Sequence, residues 1–314
     1  MSFGIGWKHM NHCKNKLLGC CIFFISCFVH AEIPKESSHF MPTHSTEARW
    51  VFSGIVEGET GEQYGYFFQM VRQKNVFHSR AALFDMLTKT VLIQDESEAE
   101  IAEPASYRWQ VGHAFLRFNP ITDSWVFGFK QTNKAGFNFK VDMLKSSEAL
   151  PAEQCLRGGI SVFVGQTNSL NGHIKLRDKS GEYFVTAGQA WFRQTSITMP
   201  QSSTHTIKGV LCRFDGGSGF YSINLLEEDA LQGAMAGRFD AKGLAEPMSQ
   251  FIRVEACTDG RWKIHVPSPD QNVFVSAMLQ QPTFVAGVTD VDEKIGFCLL
   301  SDDTLEHQDD IKTV

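Results

Sequence analysis

Phe137-Asn138-Phe139-Lys140-Val141-Asp142-Met143 reads with a period of two. Phe137, Phe139, Val141 and Met143 are apolar, whereas Asn138, Lys140 and Asp142 are polar or charged, so an extended segment here has one oily face and one wet face. Upstream, Trp125 to Phe129 makes a second extended run, and Gln131 to Gly136 supplies the turn between them, which predicts a β-hairpin. The pattern recurs along the chain. His173–Leu176 and Tyr183–Ala187 flank Asp178-Lys179-Ser180-Gly181, Arg238-Phe239 leads into a turn at Asp240 to Gly243, and Trp262, Ile264 and Val266 follow Asp259-Gly260. Asp215-Gly216-Gly217-Ser218-Gly219 reads as another hairpin turn, since no helical pattern follows it to make a phosphate-binding terminus. Only residues 145–156, with Glu148, Ala149, Leu150 and Ala152, offer a short helix, and Pro151 interrupts it.

Many short strands with Gly and Asp turns predict an all-β chain built as a barrel or a sandwich. The 26 phenylalanines favour barrels, because a small closed sheet needs bulky inward side chains or a hydrophobic ligand. The Ser/Thr/Pro stretch from Thr195 to Thr206 is the candidate linker. It divides the chain into an N-terminal domain over 45–197 and a C-terminal domain over 205–300. Beyond Leu300, Asp302, Asp303, Glu306, Asp309 and Asp310 predict an unstructured acidic tail over 301–314.

The opening 31 residues have a separate character. Lys8, Lys14 and Lys16 precede a 13-residue apolar run, Leu17 to Val29, and Val29-His30-Ala31 resembles a cleavage site. That layout predicts a secretory signal peptide, too short to span a bilayer comfortably, and an exported protein in the periplasm or medium with no integral membrane span after cleavage. Of eight cysteines, Cys155, Cys212, Cys257 and Cys298 remain after residue 31, in a compartment that permits disulfides. Three pairings are open, as is the alternative of four buried thiols. The net charge of −6 becomes more negative once the three lysines are removed, which argues against nucleic acid as a partner.

Searches for catalytic patterns fail: the chain has no H-E-x-x-H, no G-x-S-x-G and no dinucleotide fingerprint, and neither cofactor nor metal is expected. His113, between Trp109 and Phe115 on an expected strand, reads as structural. One collinear set of runs carries more. Arg49-Trp50-Val51-Phe52-Ser53-Gly54, followed by Gly61 and Tyr64-Gly65-Tyr66-Phe67-Phe68 with Arg72 beyond, resembles the E-W-W-Y-F-S-G and Y-G-Y-Q-F-T-F-F-R opening of the carotenoid 1,2-hydratase (hydroxyneurosporene synthase)/AttH-like family. Ala81-Ala82-Leu83-Phe84-Asp85 resembles its A-H-A-A-I-T-D segment. Val185-Thr186-Ala187-Gly188-Gln189-Ala190-Trp191 resembles V-T-G-L-S-W, and Arg261 to Ser268 resembles R-W-R-I-E-I-P-S. The resemblance spans about Trp50 to Leu279. It implies two tandem lipocalin-like (calycin) β-barrels and apolar substrates, including alkenes to which water is added.

At the family's acid–base positions the chain departs. Arg193 and Gln194 stand where the resemblance implies Asp-His, Lys208 where it implies a second aspartate, Arg80 for a histidine and Ala48 for a glutamate. A guanidinium or an amide cannot deliver a proton near neutral pH, so no catalytic residue is assigned. Arg80, Arg193 and Lys208 would instead favour an apolar ligand with an anionic head, such as a fatty acid, unless they are surface positions. Trp50, Phe52, Tyr66 and Trp191, with Gln194, either line the pocket or fill ordinary core. The resulting expectation is an exported protein that binds a lipid, fatty acid or polyene. The alternative is a hydratase, isomerase or cyclase acting on an apolar isoprenoid or lipid.

Overall fold

The computed structural model describes residues 45–305, apart from 46, 102–106, 131–134, 144–151, 178–180, 199–200, 202–203, 242–244, 249–251, 268–269 and 292–293. The expected signal peptide, and residues 306–314 of the expected tail, lie outside the described residues. All regular structure described is β, and every ladder is antiparallel.

The first sheet has twelve strands: β1 (Glu47–Gly58), β2 (Gln63–Gln73), β3 (Val76–Asp85), β4 (Thr90–Glu100), β5 (Arg108–Val111), β6 (Ala114–Asn119), β7 (Ser124–Lys130), β8 (Gly136–Met143), β9 (Ala152–Arg157), β10 (Ile160–Lys175), β11 (Tyr183–Ala187) and β12 (Trp191–Ile197). Its order is β4-β3-β2-β1-β11-β10-β8-β7-β6-β5; β12 bridges β1 and β10, and β9 pairs with β10. The second sheet has nine: β13 (His205–Phe214), β14 (Gly219–Glu227), β15 (Ala230–Phe239), β16 (Ala245–Pro247), β17 (Arg253–Ala256), β18 (Trp262–Pro267), β19 (Asp270–Gln281), β20 (Phe284–Val291) and β21 (Lys294–Leu305). They run in the order β16-β15-β14-β13-β21-β20-β19-β18-β17.

The expected hairpins are present. β7 and β8 pair with Phe127 opposite Phe139 and Phe129 opposite Phe137, cross-strand aromatic pairs that pin the register. β10 pairs with β11, β15 with β16, and β17 with β18. The Asp215–Gly219 segment turns β13 into β14, with the Phe214 amide donating to the Ser218 carbonyl and Gly217 at φ 86°. Two expectations are corrected. Of the expected helix over 145–156, residues 145–151 lie outside the described residues, and Ala152–Arg157 is a strand whose backbone pairs with β10, Cys155 opposite Ser161. His113 lies in the turn between β5 and β6, where it is exposed and meets the Phe129 ring edge-on at 6.0 Å.

Alternation along β1 separates two cores. Ala48, Trp50 and Phe52 join an aromatic cluster on one face of the first sheet, with Phe68, Trp109, Trp125, Phe127 and Phe139. Val51, one residue along, points to the other face and packs with Phe67, Phe84 and Trp191 against Leu211, Tyr221, Phe239 and Phe297 of the second sheet. This shared core joins the two sheets in one compact unit. The second sheet's remaining face carries a third cluster, including Val210, Ile264, Val275, Val285 and Leu300. Within it Cys212 and Cys298, opposite each other on β13 and β21, form a disulfide, which selects one of the three possible pairings; Cys155 and Cys257 are free.

Strand β21 also corrects the tail. It continues through Asp303 to Leu305, so the expected acidic tail begins inside the second sheet. Asp303 is buried, at 5% exposure. A charged residue can end a strand in the interior only where counter-charges meet it, and here they do.

Candidate functional site

A cavity of about 860 Å³, within the size range of small-molecule sites, opens on the third core face. Strand register builds one wall from rows of side chains. Val210 on β13 stands between Ser222 of β14 and Leu300 of β21, and toward the mouth Lys208 stands between Asn224 and Asp302. Residues two apart share a face, so the first row is largely apolar and the second wholly polar. Ile252, Trp262 and Val285 line the cavity as well and belong to the same apolar cluster.

The polar groups of the two rows are incompletely satisfied. Lys208 Nζ lies 4.0 Å from Asp302 Oδ2, and both side chains are half exposed. Ser222 is 2% exposed, yet its Oγ has no hydrogen-bond partner, and neither has Asn224 Oδ1. Buried polar atoms are nearly always hydrogen-bonded, so orphans that line a cavity mark where a ligand or water belongs. The other charged residues along the lining are Arg253, Asp229 and Glu255.

Trp50, Phe52 and Tyr66 sit together in the aromatic core of the first sheet. Trp50 stacks on Trp109 at 4.7 Å, Phe52 on Phe127 at 4.2 Å, and Tyr66 meets Phe139 edge-on at 5.0 Å. Gln194 joins them, its Oε1 accepting from the Trp50 indole N–H at 2.9 Å. The Tyr66 hydroxyl is buried without a partner, and burial pushes its pKa well above that of a free phenol; the nearby Arg213 opposes this. Burial pulls Arg213 down to about 10, with the Tyr66 hydroxyl acting the other way. One of its nitrogens donates to Gln189 Oε1 at 3.2 Å and the other, Nη1, is unpartnered.

Trp191 and Arg193 point the opposite way from Gln194. Trp191 packs edge-on against Tyr221 and Phe239 between the sheets, its indole donating to the Cys212 carbonyl at 2.9 Å. Arg193, 1% exposed, gives a hydrogen bond to Asp303 Oδ2 at 2.8 Å and another to Ser301 Oγ at 2.9 Å. Asp303 Oδ1 receives Arg49 Nη1 at 3.2 Å and the Gln69 amide at 3.2 Å. Burial alone would raise the Asp303 carboxyl, but Arg49, Arg193 and Gln69 hold it below the usual carboxylate range. Arg193 is therefore not a surface residue; it is half of a buried ion pair across the two sheets. Arg80 is engaged by Glu96 at 2.8 Å and by Thr283 Oγ1 at 2.6 Å, and its guanidinium lies over the Phe284 ring.

Of the eight residues singled out in the sequence, Lys208 lines the cavity, and Arg80 reaches its rim through Thr283. Trp50, Phe52, Tyr66 and Gln194 form a second group, and Trp191 with Arg193 a third. Sequence reading missed Ser222, Asn224, Trp262 and Asp303. Ser222, Asn224 and Leu226 do alternate with Tyr221, Ile223 and Leu225, but the inner face is mixed, so no clean period marks it. Among the described residues no cluster of His, Cys, Asp and Glu could hold a metal, and no helix is long and apolar enough to cross a membrane.

No family model matches the chain, and no curated protein matches it in sequence. Solved structures do match its fold. An AttH-type protein from Nitrosomonas europaea aligns with a TM-score of 0.58 at 13% identity, over 86% of this chain and 96% of that one. Kievitone hydratase from Nectria haematococca aligns at 0.55 and 11% identity, over 82% and 89%. CghA aligns at 0.50 and 12%, over 84% and 90%. The chain thus has an all-β fold of two large antiparallel sheets, and within that class its fold is AttH- and hydratase-like.

Proposed function

We propose that this chain is an exported binding protein that holds a hydrophobic small molecule, of the lipid or polyene class, in the cavity of its second sheet. The single observation behind this reading is that cavity, walled by Val210, Ile252, Trp262, Val285 and Leu300 and open to solvent at a polar rim. The residues at the acid–base positions of the resembling family are occupied otherwise: Arg193 by Asp303, and Gln194 by Trp50. Each sheet, in this proposal, is a curled lipocalin-like barrel, the first filled by its own aromatic rings and the second left hollow. A disulfide in the second sheet supports passage through an oxidising compartment.

The direct test is native mass spectrometry of the protein from its own source, paired with titration of purified protein by the apolar fluorophore N-phenyl-1-naphthylamine. Saturable binding at one site, lost in Val210→Trp while the fold is retained, is the expected result. No binding, or binding indifferent to Val210→Trp, defeats the reading.

One observation favours a hydratase- or isomerase-type enzyme instead. Tyr66 keeps a protonated, unpartnered hydroxyl among aromatic rings, close enough to feel the charge of Arg213. A phenol held neutral in an apolar site can donate a hydrogen bond that polarises a bound group, although burial makes it a weaker acid than a free phenol. Turnover of an apolar alkene that disappears in Tyr66→Phe, with unfolding behaviour unchanged, would carry that reading; turnover unaffected by the substitution would remove it.

A further inference from the structure

The polar row at the cavity mouth says more about the ligand than the apolar wall does. Lys208 Nζ can only donate, the carboxylate of Asp302 can only accept, and Ser222 Oγ can do both. Asn224 Oδ1, buried without a partner, is an acceptor. A ligand group that satisfies this set must accept from one neighbour and donate to another. A carboxylate head cannot donate, and it would sit against Asp302 and Asn224 Oδ1. The charge around the lining points the same way: Lys208 and Arg253 are outnumbered by Asp229, Glu255 and Asp302. Arg193 and Arg80, which would reverse that balance, are committed to Asp303 and Glu96.

We propose that the cavity takes an uncharged amphiphile, an alcohol or phenol on a long apolar body, and discriminates against the corresponding anion. The ligand hydroxyl accepts from Lys208 and donates to Asn224 Oδ1, with Ser222 Oγ as its second partner one row deeper. The apolar body lies along Val210, Leu300, Val285 and Trp262. Ser222 and Asn224 are then specificity-determining residues: left bare by the protein's own hydrogen bonds, they reject a ligand without a matching donor. The inference rests on the cavity being a ligand site, and it inverts the expectation of an anionic head.

The test displaces bound N-phenyl-1-naphthylamine with decan-1-ol and with decanoate at pH 7, in the full chain. Decan-1-ol is expected to displace the fluorophore at roughly a tenfold lower concentration than decanoate, about one hydrogen bond's difference. Ser222→Ala and Asn224→Leu should each weaken decan-1-ol several-fold more than they weaken decanoate, each displacement being referred to the fluorophore affinity measured in that same variant. Decanoate binding as well as or better than the alcohol overturns the head-group inference while the cavity reading stands, as does an alcohol preference indifferent to both substitutions. Absence of fluorophore binding overturns both.

Discussion

Replacing Asp303 by Asn should destabilise the protein far more than a substitution in an acidic chain terminus normally does. Asp303 is 5% exposed and Arg193 1%, and the carboxylate is the counter-charge to both Arg193 and Arg49. Arg49 retains Glu47, 3.6 Å away, but Arg193 keeps only the neutral hydroxyl of Ser301. Stripping one partner from a buried ion pair costs about 3–5 kcal/mol, because the remaining charge stays desolvated. For a protein of this size each kcal/mol lowers the melting temperature by about 2–4 °C, so Asp303→Asn should melt roughly 6–20 °C below the parent. Differential scanning calorimetry reads this directly. The double variant Arg193→Met, Asp303→Leu should recover most of the loss, since an apolar pair of similar volume needs no compensation. The pH dependence has a definite sign. The Asp303 carboxyl titrates below its unfolded value, so its contribution is complete above the unfolded pKa, near 4, and fades as pH falls through the folded one. The gap between parent and Asp303→Asn should thus be constant from about pH 5 to 8 and shrink only in acid. A loss under about 1 kcal/mol, the value of an exposed pair, or a gap that widens on acidification, would refute the buried-latch argument.

Three further outcomes are expected. Gly209→Ala places a Cβ 2.3 Å from Arg193 Nη1 and 2.7 Å from Ser301 Oγ, so it should cost about 1–3 kcal/mol in urea unfolding, with much of the effect gone in an Arg193→Met background. Cys212→Ser with Cys298→Ser opens a link between residues 86 apart and should lower stability by about 3–5 kcal/mol, a loss that reductant reproduces in the parent. Gln194→Leu leaves the Trp50 indole N–H buried with no acceptor and should cost about 1–3 kcal/mol, whereas Gln194→Glu should cost less if the N–H acceptor is what matters.

The fold was legible where one face of a strand is apolar throughout. The 137–143 run announced its own hairpin, and turn residues such as Asp215–Gly219 located others. It was illegible where both faces carry polar groups. Asp302 and Asp303 sit on successive positions of β21, the first at the cavity rim and the second between the sheets, and two adjacent acids in a run of acids look like solvated chain. Only the partners, Arg49 and Arg193 more than a hundred positions away, distinguish a buried aspartate from an exposed one, and no local window contains them. The cavity was hidden for a related reason. Ser222 and Asn224 break the apolar pattern of the face that lines the cavity, so that segment gave a weak periodic signal.

The same alternation constrains how Arg193 and Gln194 can be read. Arg193 and Gln194 are consecutive on β12, so their side chains leave the sheet on opposite faces. They cannot both serve one pocket, and they do not: Gln194 caps Trp50 inside the first sheet, and Arg193 reaches Asp303 across the shared core. A guanidinium at position 193 without a carboxylate at 303 would be a buried, unpaired charge, whereas the carboxylate without that guanidinium would still have Arg49 and the Gln69 amide. The ion pair therefore ties β12 of the first sheet to β21 of the second, and the charge of Arg193 is met by Asp303. Lys208 differs. It is half exposed, loosely held by Asp302, and opposite an unsatisfied Asn224, so among the cations at these positions it alone has donor capacity turned toward the cavity.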